Sequence, residues 1–254
     1  MERNFLDAYY KLEREHWWFQ VRERIIVERL QDMLPKGRKL RILNVGAATG
    51  RSTEILQPFG EVQSLEYDVP SYEFCRDSLK LSIDNGSILE LPYADEQFDL
   101  VCAFDVVEHV DDDQKAVREL LRVCKPGGKV FVTVPAFMSL WSTHDLVNQH
   151  FRRYTRKDLV SLFLSAGARP ERSSYFNFLL FCPIWLVRRL QKLFISQGRS
   201  ETLKPDNELA AGGIISKILY RIFDIDRFLL RYINLPFGVS LFLSTSRVTA
   251  KKVE

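Results

Sequence analysis

Between residues 39 and 134 short aliphatic, β-branched runs alternate with segments of helical hydrophobic spacing, and this alternation leaves few architectures open. The runs at 39–45, 61–66, 98–104 and 129–134 read as strands, and 51–58, 71–81 and 113–124 read as the helices between them. Strands joined through helices pair in parallel, because right-handed crossovers place the helices on both faces of one sheet. A late segment, 238–248, sets Val239, Leu241 and Leu243 against serines and reads as a strand that returns antiparallel. The expected class is therefore α/β with a doubly wound sheet.

The flanks fix the rest of the organisation. Phe5, Tyr9, Leu12, His16, Phe19, Ile25, Ile26 and Leu30 recur at helical spacing before Pro35 and Gly37, so residues 1–37 read as an N-terminal helical cap. A Rossmann-like core follows over 38–175. It includes a loop with Trp141, His144 and His150, a helix at 155–166 ending at Gly167, and a strand at 169–175. Residues 176–236 form a basic, aromatic helical insertion with a break at 198–213, and 237–254 supply the final strand of a seven-stranded, mostly parallel sheet.

The net charge of +3 is too small to imply a nucleic-acid partner, and none is expected. Residues 151–200 nevertheless hold ten Lys and Arg against two acids. Cys75, Cys102, Cys124 and Cys182 are isolated singles, which suits a reducing cytoplasm and neither a disulfide framework nor a zinc site. The apolar run 175–187 is interrupted by Asn177 and Pro183 and is shorter than the roughly 20 residues a spanning helix needs. With Trp185, Arg188, Arg189 and Lys192, the stretch 175–195 has the make-up of a helix lying peripherally on the inner membrane surface; a substrate roof and a homodimer contact stay open beside that reading.

Asn44-Val-Gly46-Ala47-Ala48-Thr-Gly50 stands between an expected strand and helix, where glycines let backbone N–H groups approach a ligand at the carboxyl edge of the sheet. Glu66 ends the next strand, twenty residues after Gly46, where a carboxylate can accept from both hydroxyls of a ribose. Asp68 reads as the cap of the following helix. These features alone leave a nicotinamide nucleotide and S-adenosylmethionine equally open.

Over about residues 38–175 the chain resembles the class I S-adenosylmethionine-dependent methyltransferases. The glycine segment is similar to their acid-x-Gly-x-Gly-x-Gly motif, with Asn44 for the acid and Ala48 for the middle glycine. Gly86-Ser87-Ile88-Leu-Glu-Leu-Pro92 is similar to the segment beside the adenine, with Ser87 for its usual Asp; Asp105-Val-Val-Glu-His109 and Leu121-Arg-Val-Cys-Lys-Pro-Gly-Gly128 are similar to the segments after the fourth strand and before the fifth. Glu15-His-Trp-Trp-Phe19, with Arg22, and His150-Phe-Arg-Arg-Tyr-Thr155 resemble a bacterial branch associated with cell-surface glycan or lipid-linked pathways. The resemblance implies S-adenosyl-L-methionine as cofactor and S-adenosyl-L-homocysteine as product, with Asn44, Gly46, Ala47, Ala48, Gly50, Glu66, Tyr67, Ser87, Ile88 and Asp105 as cofactor residues. It implies a methyl acceptor of small-molecule, sugar or lipid-linked saccharide type, reacting at oxygen or nitrogen.

His109 and His144 are the candidate general bases, since an imidazole near neutrality can take the acceptor's proton. His16, Trp17, Trp18, Arg22, His150 and Tyr154 are candidate substrate or lid residues. Glu108 and His109 alone are too few ligands for a metal, and none is expected. Two other readings stand beside the enzyme: a S-adenosylmethionine-binding scaffold without catalysis, and a nicotinamide-dependent reductase, although no Tyr is followed four residues later by Lys.

Overall fold

The computed structural model describes residues 3–196 and 213–248. Its centre is one sheet of seven strands: β1 (Leu40–Val45), β2 (Gly60–Glu66), β3 (Ile83–Asn85), β4 (Phe98–Phe104), β5 (Cys124–Pro135), β6 (Ala168–Phe176) and β7 (Ser240–Arg247). Their order is β3-β2-β1-β4-β5-β7-β6. β1 to β5 pair in parallel, and β7 runs antiparallel between β5 and β6. The doubly wound sheet with an antiparallel last strand is thus as expected, and the direction of winding reverses between β1 and β4, the place where such sheets open a crevice.

The helices are α1 (Arg3–Glu15), α2 (Trp17–Met33), α3 (Arg51–Leu56), α4 (Val69–Glu73), α5 (Asp113–Val123), α6 (Thr143–Val147), α7 (Arg156–Ser165), α8 (Phe181–Ser196) and α9 (Gly213–Leu229). α5 and α7 bury Ala116, Leu120, Leu159 and Phe163 on one face of the sheet. On the opposite face α2 and α9 bury Val21, Ile25, Ile26, Leu30 and Phe223 against Ile42, Leu100 and Phe131. The N-terminal cap and the late insertion therefore close one common core. Apolar burial at about 25 cal/mol per Å² is what holds these amphipathic helices in place.

Local chemistry changes two expected elements and adds a short strand. The N-terminal helix is two helices, because His16 has extended backbone (φ −75°, ψ 132°) and its Nδ1 accepts from the Trp18 N–H, capping α2. The helix expected over 71–81 is the single α turn of α4 followed by a wide turn over Phe74–Ser78, and Lys80 turns left-handed at φ 55°. β3 has no counterpart among the strands read from sequence; at three residues it is too short to show alternation. Residues 198–212 of the expected break lie outside the described residues.

Candidate active site

The β1–α3 elbow is built from left-handed backbone. Gly46 sits at φ 78°, Ala48 at φ 48° and Gly50 at φ 84°. A Cβ on Gly46 would overlap Val106 Cγ2, so glycine is required there both by conformation and by space. Ala48 holds the same hand of turn with a methyl group in place. Asn44 turns away from the crevice: buried under α3, its Nδ2 donates to Ser52 Oγ and Thr53 Oγ1, each at 2.9 Å. It shapes the elbow from beneath, which differs from the direct cofactor contact expected of it.

Glu66 lies at the carboxyl end of β2 with 9% of its surface exposed. Its Oε2 accepts from the Ala48 N–H at 2.8 Å and its Oε1 from the Asp68 N–H at 2.9 Å. Burial raises its pKa, and these backbone donors pull in the opposite direction. A carboxylate has roughly four acceptor sites, so each oxygen keeps a further lone pair for a ligand hydroxyl. Asp68 caps α4 through Ser71, as its position suggested. Beside Glu66, Tyr67 (76% exposed), Asn85, Gly86 and Ser87 line an open groove of about 510 Å³. Ser87 Oγ accepts from the Leu89 N–H at 3.1 Å, and Ile88 is buried beneath.

At the other side of the crevice Asp105 directly follows β4, at φ 56°. Arg22 of α2 donates to Asp105 Oδ2 at 2.5 Å and to Thr133 Oγ1 at 3.2 Å. Glu13 of α1, which the sequence reading did not single out, accepts a hydrogen bond from Thr49 Oγ1 inside the elbow; burial lifts its pKa to about 7. Its only sequence signal is a carboxylate on the inner face of an amphipathic helix.

The turn after β4 and the loop after β5 carry the remaining candidates. His109, at the end of the turn after β4, packs edge-to-face with His150, ring centroids 4.6 Å apart. Partial desolvation, with His150 beside it, pulls the His109 pKa down to about 4, so its imidazole is neutral near pH 7. His150 Nδ1 lies 2.9 Å from Asp145 Oδ1. Asp145 is fully buried; its carboxyl stays well below the usual range against the effect of burial because His150, Arg153 and the Ser142 N–H all bond to it. His144, on α6, has its ring centroid 6.3 Å from that of His150.

Three candidates turn out to be anchored in the scaffold. Tyr154 is 4% exposed and donates to Asp113 Oδ2 at 2.9 Å, tying the loop to α5. His16 is the α2 cap, and Trp17 packs edge-on against Phe223 of α9. Trp18 stays closer to the crevice, with the Arg22 guanidinium 5.7 Å from its ring centroid. Arg188, counted above among the cations of the insertion, is 8% exposed and donates to the Leu140 carbonyl at 2.6 Å.

Residues 43–132 match the methyltransferase domain family. A probable S-adenosylmethionine-dependent methyltransferase of Mycolicibacterium smegmatis is 29% identical over 164 residues, 63% of this chain and 62% of that protein. The chain therefore spans less than two thirds of that relative's length. Among solved structures, the complex of the Haloferax volcanii Trm112 methyltransferase activator and a methyltransferase aligns with TM-score 0.60 at 14% identity, covering 96% of this chain and 98% of that one. A Haemonchus contortus phosphoethanolamine N-methyltransferase bound to S-adenosyl-L-methionine aligns with TM-score 0.57 at 14% identity, over 90% of this chain and 53% of that one. The matched domain over residues 43–132, the sequence relatives and the strand order together support a class I S-adenosylmethionine-dependent methyltransferase.

Proposed function

We propose that this chain transfers the methyl group of S-adenosylmethionine to an oxygen or nitrogen of an acceptor. The observation that carries the reading is the position of Glu66: a buried carboxylate gripping the left-handed elbow at the switch point of the sheet, beside an open groove. The residues fit the cofactor. Glu66 would take the ribose hydroxyls, and the groove beside Ser87 and Ile88 would take the base. Glu13, Glu66 and Asp105 place carboxyl groups around a crevice that must accept a cationic donor.

When bound, the sulfonium supplies an activated methyl group, and the protein's part is alignment, exclusion of water and disposal of the acceptor's proton. The N-terminal helices are held over the crevice by Arg22–Asp105 and by Glu13–Thr49. His109, neutral near pH 7, would receive that proton at a ring nitrogen, and His144, with its ring centroid 6.3 Å from that of His150, is the second candidate.

For the acceptor we favour a small molecule, sugar or lipid-linked saccharide with an apolar portion. α8 exposes Trp185, Leu186, Val187 and Leu190, with the Arg189 guanidinium over the Trp185 ring. Through Arg188 and Leu140 this helix is joined to the loop that bears His144 and His150. Peripheral contact with a membrane surface would narrow from 175–195 to α8, since Tyr175 and Phe176 are buried in β6. Among the described residues no helix is long and apolar enough to cross a membrane.

Release of S-adenosylhomocysteine, measured against alcohols, amines, free saccharides and polyprenyl-linked saccharides, tests the reading. Acceptor-dependent release greatest with lipid-linked saccharides is the expected result. Tight cofactor binding with no release across the panel would leave a binding domain instead.

A further inference from the structure

We propose that Glu108, His109 and His150 form a binding site for one divalent transition-metal ion of the zinc, cobalt(II) or manganese(II) class. The ligand-capable atoms of these three residues all lie within 4.8 Å of one another. They come from two segments far apart in sequence, joined at the site by the Phe151 N–H donating to the Glu108 carbonyl at 2.8 Å. Metal–ligand bonds of about 2.0–2.2 Å set ligand atoms roughly 3–4 Å apart, so closing the site needs only side-chain torsions, chiefly of the exposed His109.

Glu108 is the observation that points to an ion. Its side chain is 0% exposed, and neither carboxylate oxygen has a hydrogen-bond partner. A buried carboxyl with neither oxygen bonded is costly, and a cation bound to it removes that cost. The two nearby guanidinium groups are already engaged elsewhere, Arg22 with Asp105 and Arg153 with Asp145. His150 has the arrangement of a metal ligand. Its Nδ1 is held by the buried Asp145 carboxylate, which orients the ring and leaves Nε2 for an ion; Arg153 and the Ser142 N–H fix Asp145 in turn. Two imidazoles with one carboxylate suit borderline transition metals better than magnesium or calcium, which prefer oxygen ligands, and three protein ligands leave a position open. If the methyltransferase reading holds, the ion would occupy the His109 nitrogen that otherwise receives the acceptor's proton, and an acceptor hydroxyl at the open position would become more acidic and release its proton to solvent more readily. The ion site itself does not depend on that reading.

The test uses the full chain, stripped with chelator and titrated with cobalt(II), with visible absorption and calorimetry as readouts. One equivalent should bind with ligand-field bands, zinc(II) should displace it, and magnesium(II) should not. His109→Ala, His150→Ala and Glu108→Gln should each weaken cobalt binding at least tenfold, the range in which even outer-shell changes fall. His16→Ala should leave it unchanged. His109 is exposed, so its variant stays informative if the Glu108 variant fails to fold. Absence of stoichiometric uptake by the wild type, or uptake undiminished in His109→Ala and His150→Ala, overturns the site. Titration of the same samples with S-adenosylmethionine separates the two proposals: cofactor binding without metal uptake sinks this inference alone, and metal uptake without cofactor binding sinks the proposed function alone.

Discussion

Arg22 on α2 and Asp105 directly after β4 meet at 2.5 Å, joining the N-terminal helices to the carboxyl edge of the sheet. Breaking a buried pair costs about 3–5 kcal/mol, but the Asp105 side chain is 31% exposed and water screens part of that. Arg22→Leu should therefore lower the unfolding free energy by about 1–2 kcal/mol in urea. The double variant Arg22→Leu/Asp105→Asn should lose less than the sum of the singles; additive losses would show that the two residues do not act as a pair.

Gly46 is held at φ 78° with Val106 against its α-carbon. Gly46→Ala adds left-handed strain of about 1–2 kcal/mol and an overlap of similar size, so both thermal stability and cofactor affinity should fall. Adding Val106→Ala should recover the overlap part and leave the conformational part. No recovery at all would place the fault elsewhere in the elbow.

Glu13 has its pKa raised from 4.5 to about 7, burial being the main cause. The folded state thus favours the protonated acid. Its contribution to stability is fully present below about pH 4.5, the unfolded value, and is lost as the pH rises through about 7. Opening free energies of α1 amides, from hydrogen exchange corrected for intrinsic rates, should decline from pH 5 to pH 8 in the wild type and stay flatter in Glu13→Gln. An identical slope in both proteins would remove Glu13 as the titrating group.

Tyr154 separates an anchor from a substrate contact. Tyr154→Phe removes its donor to Asp113, which Arg152 also contacts, and should cost about 1 kcal/mol of stability with little change in acceptor KM. A large rise in KM with unchanged melting temperature would return Tyr154 to the substrate site.

The parts of the fold legible in the sequence are those whose chemistry is local. A strand, a glycine elbow and a helix follow one another from Leu40 to Leu56, and Glu66 closes the next strand at a fixed interval. The helix break at His16 was hidden because the hydrophobic spacing runs on through it, while the cap depends on one ring nitrogen reaching the Trp18 N–H. Trp17 and Tyr154 carry polar groups that suit a site equally well, and only packing against Phe223 and the bond to Asp113 reveal them as anchors. The contact of Glu13 with Thr49 and the approach of His150 to Glu108 and His109 join segments that no motif connects. They arise from how α1 and the loop after β5 return to the sheet edge.

The most direct measurement is calorimetric titration of S-adenosylmethionine, S-adenosylhomocysteine and the nicotinamide nucleotides into the wild type and Glu66→Ala. One site for each adenosyl ligand is expected, none for the nicotinamide nucleotides, with affinity in the variant lowered at least tenfold, or about 1.4 kcal/mol. Equal affinity in both proteins, or heat only from a nicotinamide nucleotide, would contradict the placement of the donor at the elbow.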